Sequence, residues 1–185
     1  MQNKKILIGV TGGIAIYKIC NLVRLLVKKE NQVKVMMTEN AAKLISPLVF
    51  QSLSRSIVYT DTFKLAQEGD IGHIGLAKWP DAVVIAPATA NTIGKFANGI
   101  ADNLLTTTVM ALPESTPLFI APAMNVNMWN NVFVKENMKK MTARKNCFII
   151  GPDNGALADG AAGFGRMVDP EAIMARLEAS PLLFG

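Results

Sequence analysis

The sequence predicts an α/β fold, a doubly wound domain on a mostly parallel sheet of five to six strands. Short apolar runs of strand length recur along the 185 residues. Between them, apolar residues repeat at the three- and four-residue spacing of amphipathic helices. Because the strands are apolar throughout, we expect helices on both faces of the sheet and right-handed crossovers. The length fits one domain over residues 1–185.

Strand and helix predictions alternate along the chain. Strands are predicted at residues 5–10, 32–38, 57–59, 81–86, 117–121 and 146–151. Helices are predicted around residues 19–26, over 40–53 with an interruption at Pro47, and over 73–79, 90–98, 102–112, 130–141 and 170–179. Residues 60–72 are predicted as a loop, and residues 155–165 are rich in glycine and alanine.

Composition narrows the function classes. The net charge of +5 comes from scattered lysines with few aromatics, which disfavours a nucleic-acid surface and is compatible with anionic small molecules. No apolar run approaches the roughly 20 residues that span a bilayer, and the N-terminal apolar run is too short for a signal peptide. We therefore expect a cytoplasmic protein that binds no membrane. Cys20 and Cys147 lack metal-ligand spacing and are predicted to be buried, reduced thiols, so no metal site is expected.

Ligands of doubly wound sheets bind beyond the carboxyl ends of the strands. The first such loop, Gly-Val-Thr-Gly-Gly-Ile at residues 9–14, offers backbone N–H groups and a helix N-terminus to a phosphate. It is neither the dinucleotide fingerprint nor a P-loop. The alternative is a tight turn that binds no ligand. Glu39, after the second strand, would hold a ribose if the site bound a dinucleotide, or else be an ordinary exposed glutamate.

Two further loops share one pattern, in which an apolar run is followed by Ala-Pro and small polar residues. In the first, Thr89, Asn91 and Thr92 cluster at a helix start where capping alone would use one of them. The second, Ile-Ala-Pro-Ala-Met-Asn-Val-Asn-Met-Trp at residues 120–129, breaks the pattern of a plain strand end. We expect the two loops to form two walls of one site. His73 is the single histidine, so any imidazole acid–base step must use it.

Specific motifs occur in order from about residue 4 to residue 178. They are residues 9–18, Gly-His-Ile at 72–74, Pro-Ala-Thr-Ala-Asn-Thr at 87–92, Ala-Asp-Asn-Leu-Leu at 101–105 and Pro-Ala-Met-Asn-Val-Asn-Met-Trp at 122–129. Together they resemble the flavin-dependent cysteine decarboxylases, nearest to those acting on 4'-phosphopantothenoylcysteine in coenzyme A biosynthesis. The resemblance implies a Rossmann-like, flavodoxin-like flavoprotein fold that binds FMN.

The resemblance also implies roles for individual residues. His73 matches the histidine required for decarboxylation, and Asn125 the amide that holds the substrate carboxylate and the enethiolate. Met128 matches a neighbouring wall, and Arg166 a residue that closes over an anionic substrate. The matches to cofactor contacts are Gly12, Gly13, Ile14, Thr38, Glu39, Asn40, Thr89, Ala90, Asn91, Thr92 and Ala123.

The implied reaction explains the need for a flavin. Oxidation of the substrate thiol to a thioaldehyde creates a C=S group. When CO2 departs, this group accepts the electrons left behind, and an enethiolate forms. Re-reduction then yields 4'-phosphopantetheine. The protein would orient the substrate and stabilise developing charge.

The segment at about residues 153–168 resembles the mobile substrate clamp of that family, with one departure. Asp159 stands where the family has a cysteine that protonates the intermediate, and Ala161 where it has an aspartate. Asp159 would replace the cysteine as the acid if closure of the clamp raised the pKa of its carboxyl group. Otherwise the product stops at the aminoenethiol, as in decarboxylases of peptide C-terminal cysteines, or the chain is a non-catalytic flavin-binding regulatory subunit. An NAD reductase is a more distant alternative.

The implied partners follow from the same resemblance. The substrate would be a small phosphorylated cysteine amide. The chain would form a homotrimer, or a dodecamer of trimers, with FMN at the subunit interface. In many bacteria a phosphopantothenate–cysteine ligase accompanies the decarboxylase, either fused or separate.

Overall fold

The computed structural model describes residues 1–61, 72–156, 160 and 162–183. Six strands form one sheet: β1 (Lys5–Val10), β2 (Gln32–Met37), β3 (Val58–Tyr59), β4 (Ala82–Ala88), β5 (Leu118–Pro122) and β6 (Cys147–Ile149). Their order is β3-β2-β1-β4-β5-β6, with every neighbouring pair parallel. The predicted doubly wound parallel sheet is confirmed.

Helices cover both faces of this sheet. They are α1 (Ile16–Lys28), α2 (Glu39–Leu44), α3 (Pro47–Ser54), α4 (Gly72–Lys78), α5 (Ala90–Ala97), α6 (Leu104–Met110), α7 (Val126–Asn130), α8 (Val132–Met141) and α9 (Pro170–Glu178). A 3-10 turn at Pro181–Leu183 follows. None of the helices in the described ranges is both long and apolar enough to cross a bilayer.

Strand residues alternate between two hydrophobic clusters. In β1, Ile6 and Ile8 join the cluster beneath α1 and α9, whereas Leu7 joins the cluster beneath α4, α5 and α6. Because both faces are covered, the strands read as continuous apolar runs, the pattern from which the sheet was predicted.

Local chemistry explains several helix boundaries. Pro47 stands at the start of α3 after Ser46, whose side chain accepts from the Leu48 N–H, so the predicted interruption separates two helices. The predicted helix over 130–141 is wrong at its start, because Asn131 has extended backbone and caps α8 after α7 has ended.

Residues 153–156 and 162–166 depart most from expectation. No strand was predicted there, yet they form an antiparallel hairpin of β7 (Asp153–Ala156) and β8 (Ala162–Arg166). Glycine and alanine give little strand signal, so the sequence did not predict it. Whether this segment moves, as the clamp prediction holds, stays a prediction.

The two cysteines are free but half-buried rather than fully buried. Burial raises the pKa of the Cys147 thiol to about 11 and raises that of Cys20 as well. Both thiols are therefore protonated near neutral pH. No cluster of potential metal ligands occurs among the described residues.

Candidate active site

A cleft of about 550 Å³ opens at the carboxyl edge of the sheet, where β1, β4 and β5 end. β1 and β4 are adjacent in the sheet, and the chain leaves them in opposite directions, which is the switch point where such sheets bind ligands. The described lining consists of Gly12, Gly13, Ile14, Ala15, Tyr17, Lys18, Thr89, Ala90, Ala123, Met124, Asn125, Met128, Ala156, Gly165, Arg166 and Met167.

The turn after β1 has no room for a side chain at Gly12. A Cβ on Gly12 would lie 2.6 Å from Asn40 Cβ, which is too close for two carbon atoms. A Cβ on Gly13 would meet Pro87 and Thr89 at 3.4–3.5 Å, in ordinary contact. The turn therefore packs its backbone against α2 on one side and the β4 loop on the other.

The first turn of α1 faces this cleft without a side-chain cap. Its N-cap residue is Ala15, and no side chain makes a capping hydrogen bond there. N–H groups at a helix start carry partial positive charge and favour a bound anion. The bare turn and the uncapped helix together fit a phosphate group.

Thr11 joins the first two loops, and sequence reasoning assigned it no role. Its buried hydroxyl donates to the Pro87 carbonyl at 2.5 Å and accepts from the Thr89 N–H at 3.2 Å. One side chain thus fixes the end of β1 to the end of β4. The available signal was a hydroxyl residue directly before two glycines at a strand end.

The second loop is ordered by capping. Thr89 accepts from the Thr92 N–H at 3.4 Å, and the two hydroxyls are 3.2 Å apart. Thr89 and Ala90 line the cleft, whereas Thr92 is buried beside the cap and Asn91 is exposed. Neither Asn91 nor Thr92 reaches the cleft.

The third loop begins where β5 ends and carries Asn125. The Ala123 N–H donates to the Ala88 carbonyl at 3.0 Å, which holds this loop against the second. Asn125 caps α7, with Oδ1 accepting from the Asn127 N–H at 2.7 Å. Asn125 lines the cleft beside Met128, which is 48% exposed. The two Ala-Pro loops are therefore neighbouring walls of one cleft, as predicted.

The hairpin of β7 and β8 forms the outer wall. The Met124 N–H donates to the Gly165 carbonyl at 3.0 Å. Gly165 has φ +146°, and a Cβ there would overlap the Met124 carbonyl oxygen. A residue with a side chain would push the hairpin away from the Asn125 loop.

The charged groups of the described lining are both cationic. They are Lys18, which ends the motif at residues 9–18 and had no predicted role, and Arg166. Their shared counterion, Asp169, is not among the lining residues and accepts from Lys18 Nζ at 2.6 Å. Hydrogen bonding from Lys18 is the main cause that holds the pKa of Asp169 below its usual value. The cleft therefore carries positive charge that would attract an anionic ligand.

Several predicted site residues lie away from the cleft. Thr38 caps α2 by accepting from the Ala41 N–H, and Asn40 packs against Gly12. Glu39 is exposed and pairs with Lys43 at 2.7 Å, whose hydrogen bond lowers the pKa of Glu39, in keeping with the ordinary-glutamate alternative.

His73 and Asp159 are the remaining predicted catalytic residues. His73 is half-buried at the start of α4 and does not line the cleft of its own chain. Asp159 lies outside the described residues, so its place relative to Asn125 stays a prediction.

Comparison with known proteins identifies the family. The model of the flavoprotein family matches residues 1–180. The chain belongs to the flavoprotein family. The predicted resemblance is confirmed.

Curated relatives are bifunctional. The chain is 50% identical to the coenzyme A biosynthesis bifunctional protein CoaBC of Bacillus subtilis over 94% of its own length. It is 41% identical to CoaBC of Escherichia coli, again over 94% of its length. It spans 42% of the length of each of these two relatives.

Solved structures match the whole chain. A PPC decarboxylase mutant complexed with pantothenoylaminoethenethiol aligns with TM-score 0.86 and 32% identity, covering 96% of this chain and 97% of the other. The FMN-binding protein AtHal3 aligns with TM-score 0.81 and 33% identity over the same shares. The peptidyl-cysteine decarboxylase EpiD aligns over the full length of both chains with TM-score 0.78 and 25% identity.

Proposed function

We propose that this chain is an FMN-dependent decarboxylase that converts 4'-phospho-N-pantothenoylcysteine to 4'-phosphopantetheine in coenzyme A biosynthesis. The observation that carries the proposal is that the glycine turn, the Thr89 loop, Asn125 and Arg166 line the same cleft. The relatives named CoaBC and the PPC decarboxylase structure support this substrate.

The cofactor would bind along the inner wall of the cleft. Gly12, Gly13 and Ile14 would hold the FMN phosphate at the uncapped start of α1, with Thr89, Ala90 and Ala123 beside the remaining flavin. The cleft volume of about 550 Å³ lies in the usual range for ligand sites. When bound, FMN supplies reversible two-electron chemistry at the thiol-bearing carbon of the substrate.

The substrate would be oriented by side chains of the third loop and of the outer wall. The Asn125 carboxamide can hydrogen-bond a carboxylate without adding negative charge, so it stabilises both the bound substrate and the enethiolate left after CO2 departs. Arg166 contributes positive charge from the outer wall, and Met128 contributes an apolar contact from the third loop.

The role proposed for His73 depends on the assembly of several copies of the chain. Because His73 is outside the cleft of its own chain, we propose that it reaches the Asn125 loop of a neighbouring copy in a homotrimer, with FMN between subunits. It would then transfer a proton at the reacting centre. A dodecamer of such trimers is the larger form.

Asp159 is proposed as the acid of the final step. A carboxylic acid in that position would need its pKa raised on closure of the cleft in order to hold a proton near neutral pH. The Asp159→Asn variant would then accumulate a product that lacks two hydrogens.

The relatives also suggest a partner activity. Because the chain spans 42% of the length of the first relative, we propose that a phosphopantothenate–cysteine ligase accompanies it, on the same polypeptide or separately. Its product would be the substrate of the cleft described above.

Mass analysis of products tests the function. The flavin-loaded protein is incubated with 4'-phosphopantothenoylcysteine and, in parallel, with a peptide that ends in cysteine. Saturated phosphopantetheine supports the complete reaction. Loss of CO2 with a product two hydrogens short supports the arrested reaction, and turnover of the peptide alone supports a peptide decarboxylase. Unchanged substrate in both samples would contradict catalysis and favour a flavin-binding regulatory subunit.

A further inference from the structure

Asp169 bonds two cations that line the cleft, yet it is not itself a lining residue. Its Oδ1 accepts from Lys18 Nζ at 2.6 Å, and its two oxygens accept from Arg166 Nη2 at 3.1 and 3.2 Å. Lys18 Nζ also donates to the Met167 carbonyl at 2.9 Å. The Lys18 side chain is 10% exposed, so this ammonium is held by fixed partners rather than by bulk water.

These contacts connect elements that are far apart in sequence. Lys18 lies in the first turn of α1, directly after the turn proposed to hold the flavin phosphate. Arg166 is the last residue of β8 and therefore belongs to the outer wall. Asp169 is the N-cap residue of α9, but its side chain makes no capping hydrogen bond. The carboxylate is thus committed to the two cations rather than to the helix.

Arg166 is confined on its other side by the facing strand. A Cβ on Gly155 of β7 would lie 3.0 Å from Arg166 Cδ and 3.2 Å from Arg166 Nη1. The arginine side chain therefore crosses β7 at a position without a side chain, and Asp169 receives its guanidinium. The contacts with Gly155 and Asp169 restrict the conformation of the Arg166 side chain, which has many rotamers when it is unrestrained.

We infer that Asp169 is a positioning residue that couples the flavin-binding turn to the outer wall of the cleft. Asp169 accepts hydrogen bonds from both Lys18 and Arg166. It thereby holds the two cations at the cleft between the flavin-binding turn and the outer wall, where an anionic substrate would bind. The inference rests on the proposed function, since it assigns the substrate a negatively charged group. Asp169 is not among the described lining residues and would act through the two cations.

Charge alone predicts the opposite effect, which makes the inference testable. Asp169→Asn removes a negative charge near two cleft cations, so an effect of net charge would tighten the binding of an anionic substrate. A positioning effect would weaken binding, because misdirected cations lose their geometry. The sign of the change in KM therefore separates the two roles.

The experiment uses flavin-loaded protein with 4'-phosphopantothenoylcysteine. For Asp169→Asn we expect KM to rise about tenfold and kcat to stay within about twofold, since the reacting centre at Asn125 is untouched. Bound flavin per chain should equal that of the wild type. Asp169→Glu keeps the charge and both acceptor oxygens and should recover most of the loss.

Glu171→Gln is the matched control. Glu171 also connects α9 to α1, by accepting from Asn21 Nδ2 at 3.1 Å, but neither residue lines the described cleft. This variant should retain the wild-type KM. A KM in Asp169→Asn that is unchanged or lower would overturn the inference, and so would an equal KM increase in Glu171→Gln.

Hydrogen exchange separates this inference from the proposed function. In Asp169→Asn, amides of residues 153–156 and 162–166 should exchange faster than in the wild type and in Glu171→Gln, whether or not the substrate is turned over. Absence of turnover in the wild type would contradict the proposed function alone. Unchanged exchange in the hairpin would contradict the coupling alone.

Discussion

Asn125 serves the fold and the proposed chemistry with one side chain. Its Oδ1 accepts from the Asn127 N–H at the start of α7, and the residue lines the cleft. Asparagine and aspartate are about equally good N-cap residues. Substitution can therefore change the chemistry and leave the cap in place.

Asn125→Asp should retain the wild-type melting temperature and flavin content but lower decarboxylation at least about a hundredfold, because a carboxylate repels the substrate carboxylate and donates no hydrogen bond. Asn125→Ala should lose the activity and, in addition, about 1 kcal/mol of stability with the cap. Thermal unfolding and turnover are measured on the same samples. Wild-type turnover by Asn125→Asp would refute the role of the amide.

Asp169 gives the fold a defined pH dependence. Its pKa in the folded chain is lowered, first by the hydrogen bond from Lys18, and Arg166 adds to the shift. The ionised Asp169 therefore stabilises the folded chain at pH values above its pKa in the unfolded chain. This stabilisation is lost as the pH falls through its pKa in the folded chain. The unfolded value is near the ordinary 3.8.

The difference in unfolding free energy between the wild type and Asp169→Asn should therefore be constant from about pH 5 to 7 and shrink below about pH 4. Urea unfolding at a series of pH values measures it. A difference that grows as the solution becomes more acidic would contradict the assigned ion pairs.

At the scale of elements, the sequence predicts those parts whose own residues determine their structure. β1, β4 and β5 are apolar on both faces, and Pro47 marks a helix start by its missing N–H. The β7–β8 hairpin is different, since its strands contain glycine and alanine and are held by partners elsewhere in the chain. Its position depends on the Met124 N–H to Gly165 bond, which no local pattern reveals.

Gly165→Ala should destabilise the chain by about 2 kcal/mol or more, because a Cβ would overlap the Met124 carbonyl oxygen at a positive φ that favours glycine. Gly94→Ala within α5 is the control. A Cβ there meets Asn137 Nδ2 at 3.5 Å, so the change should be neutral or stabilise by about 0.5–1 kcal/mol. Equal melting temperatures for the two variants would disprove the close contact.

At the scale of the whole molecule, the proposed function places His73 and Asn125 of one site on different chains. Ile14 and Tyr17 line the cleft and are 64% and 65% exposed. His73, predicted from its uniqueness and from the resemblance, is absent from the lining of the same cleft. The loops could be predicted because strand ends converge in a parallel sheet. A contribution from a neighbouring chain, as proposed for His73, would leave no periodicity in the sequence.

Mixed assemblies test this arrangement. His73→Asn and Asn125→Asp chains, each inactive alone, are denatured, combined in equal amounts and refolded with FMN. If His73 acts on a neighbouring copy, about a quarter of the sites in randomly mixed trimers contain both wild-type residues, and activity returns to that fraction. Residues acting within one chain would leave every mixture inactive.

The Thr11 hydroxyl gives the cleft one further property. Since it bonds both Pro87 and Thr89, the β1 turn and the β4 loop are ordered together when the chain folds. A cofactor that contacts both loops then encounters a preorganised surface and does not have to restrict each loop separately on binding. Its binding entropy should accordingly be less unfavourable, and its association less limited by loop rearrangement, than in a site assembled from two independent loops.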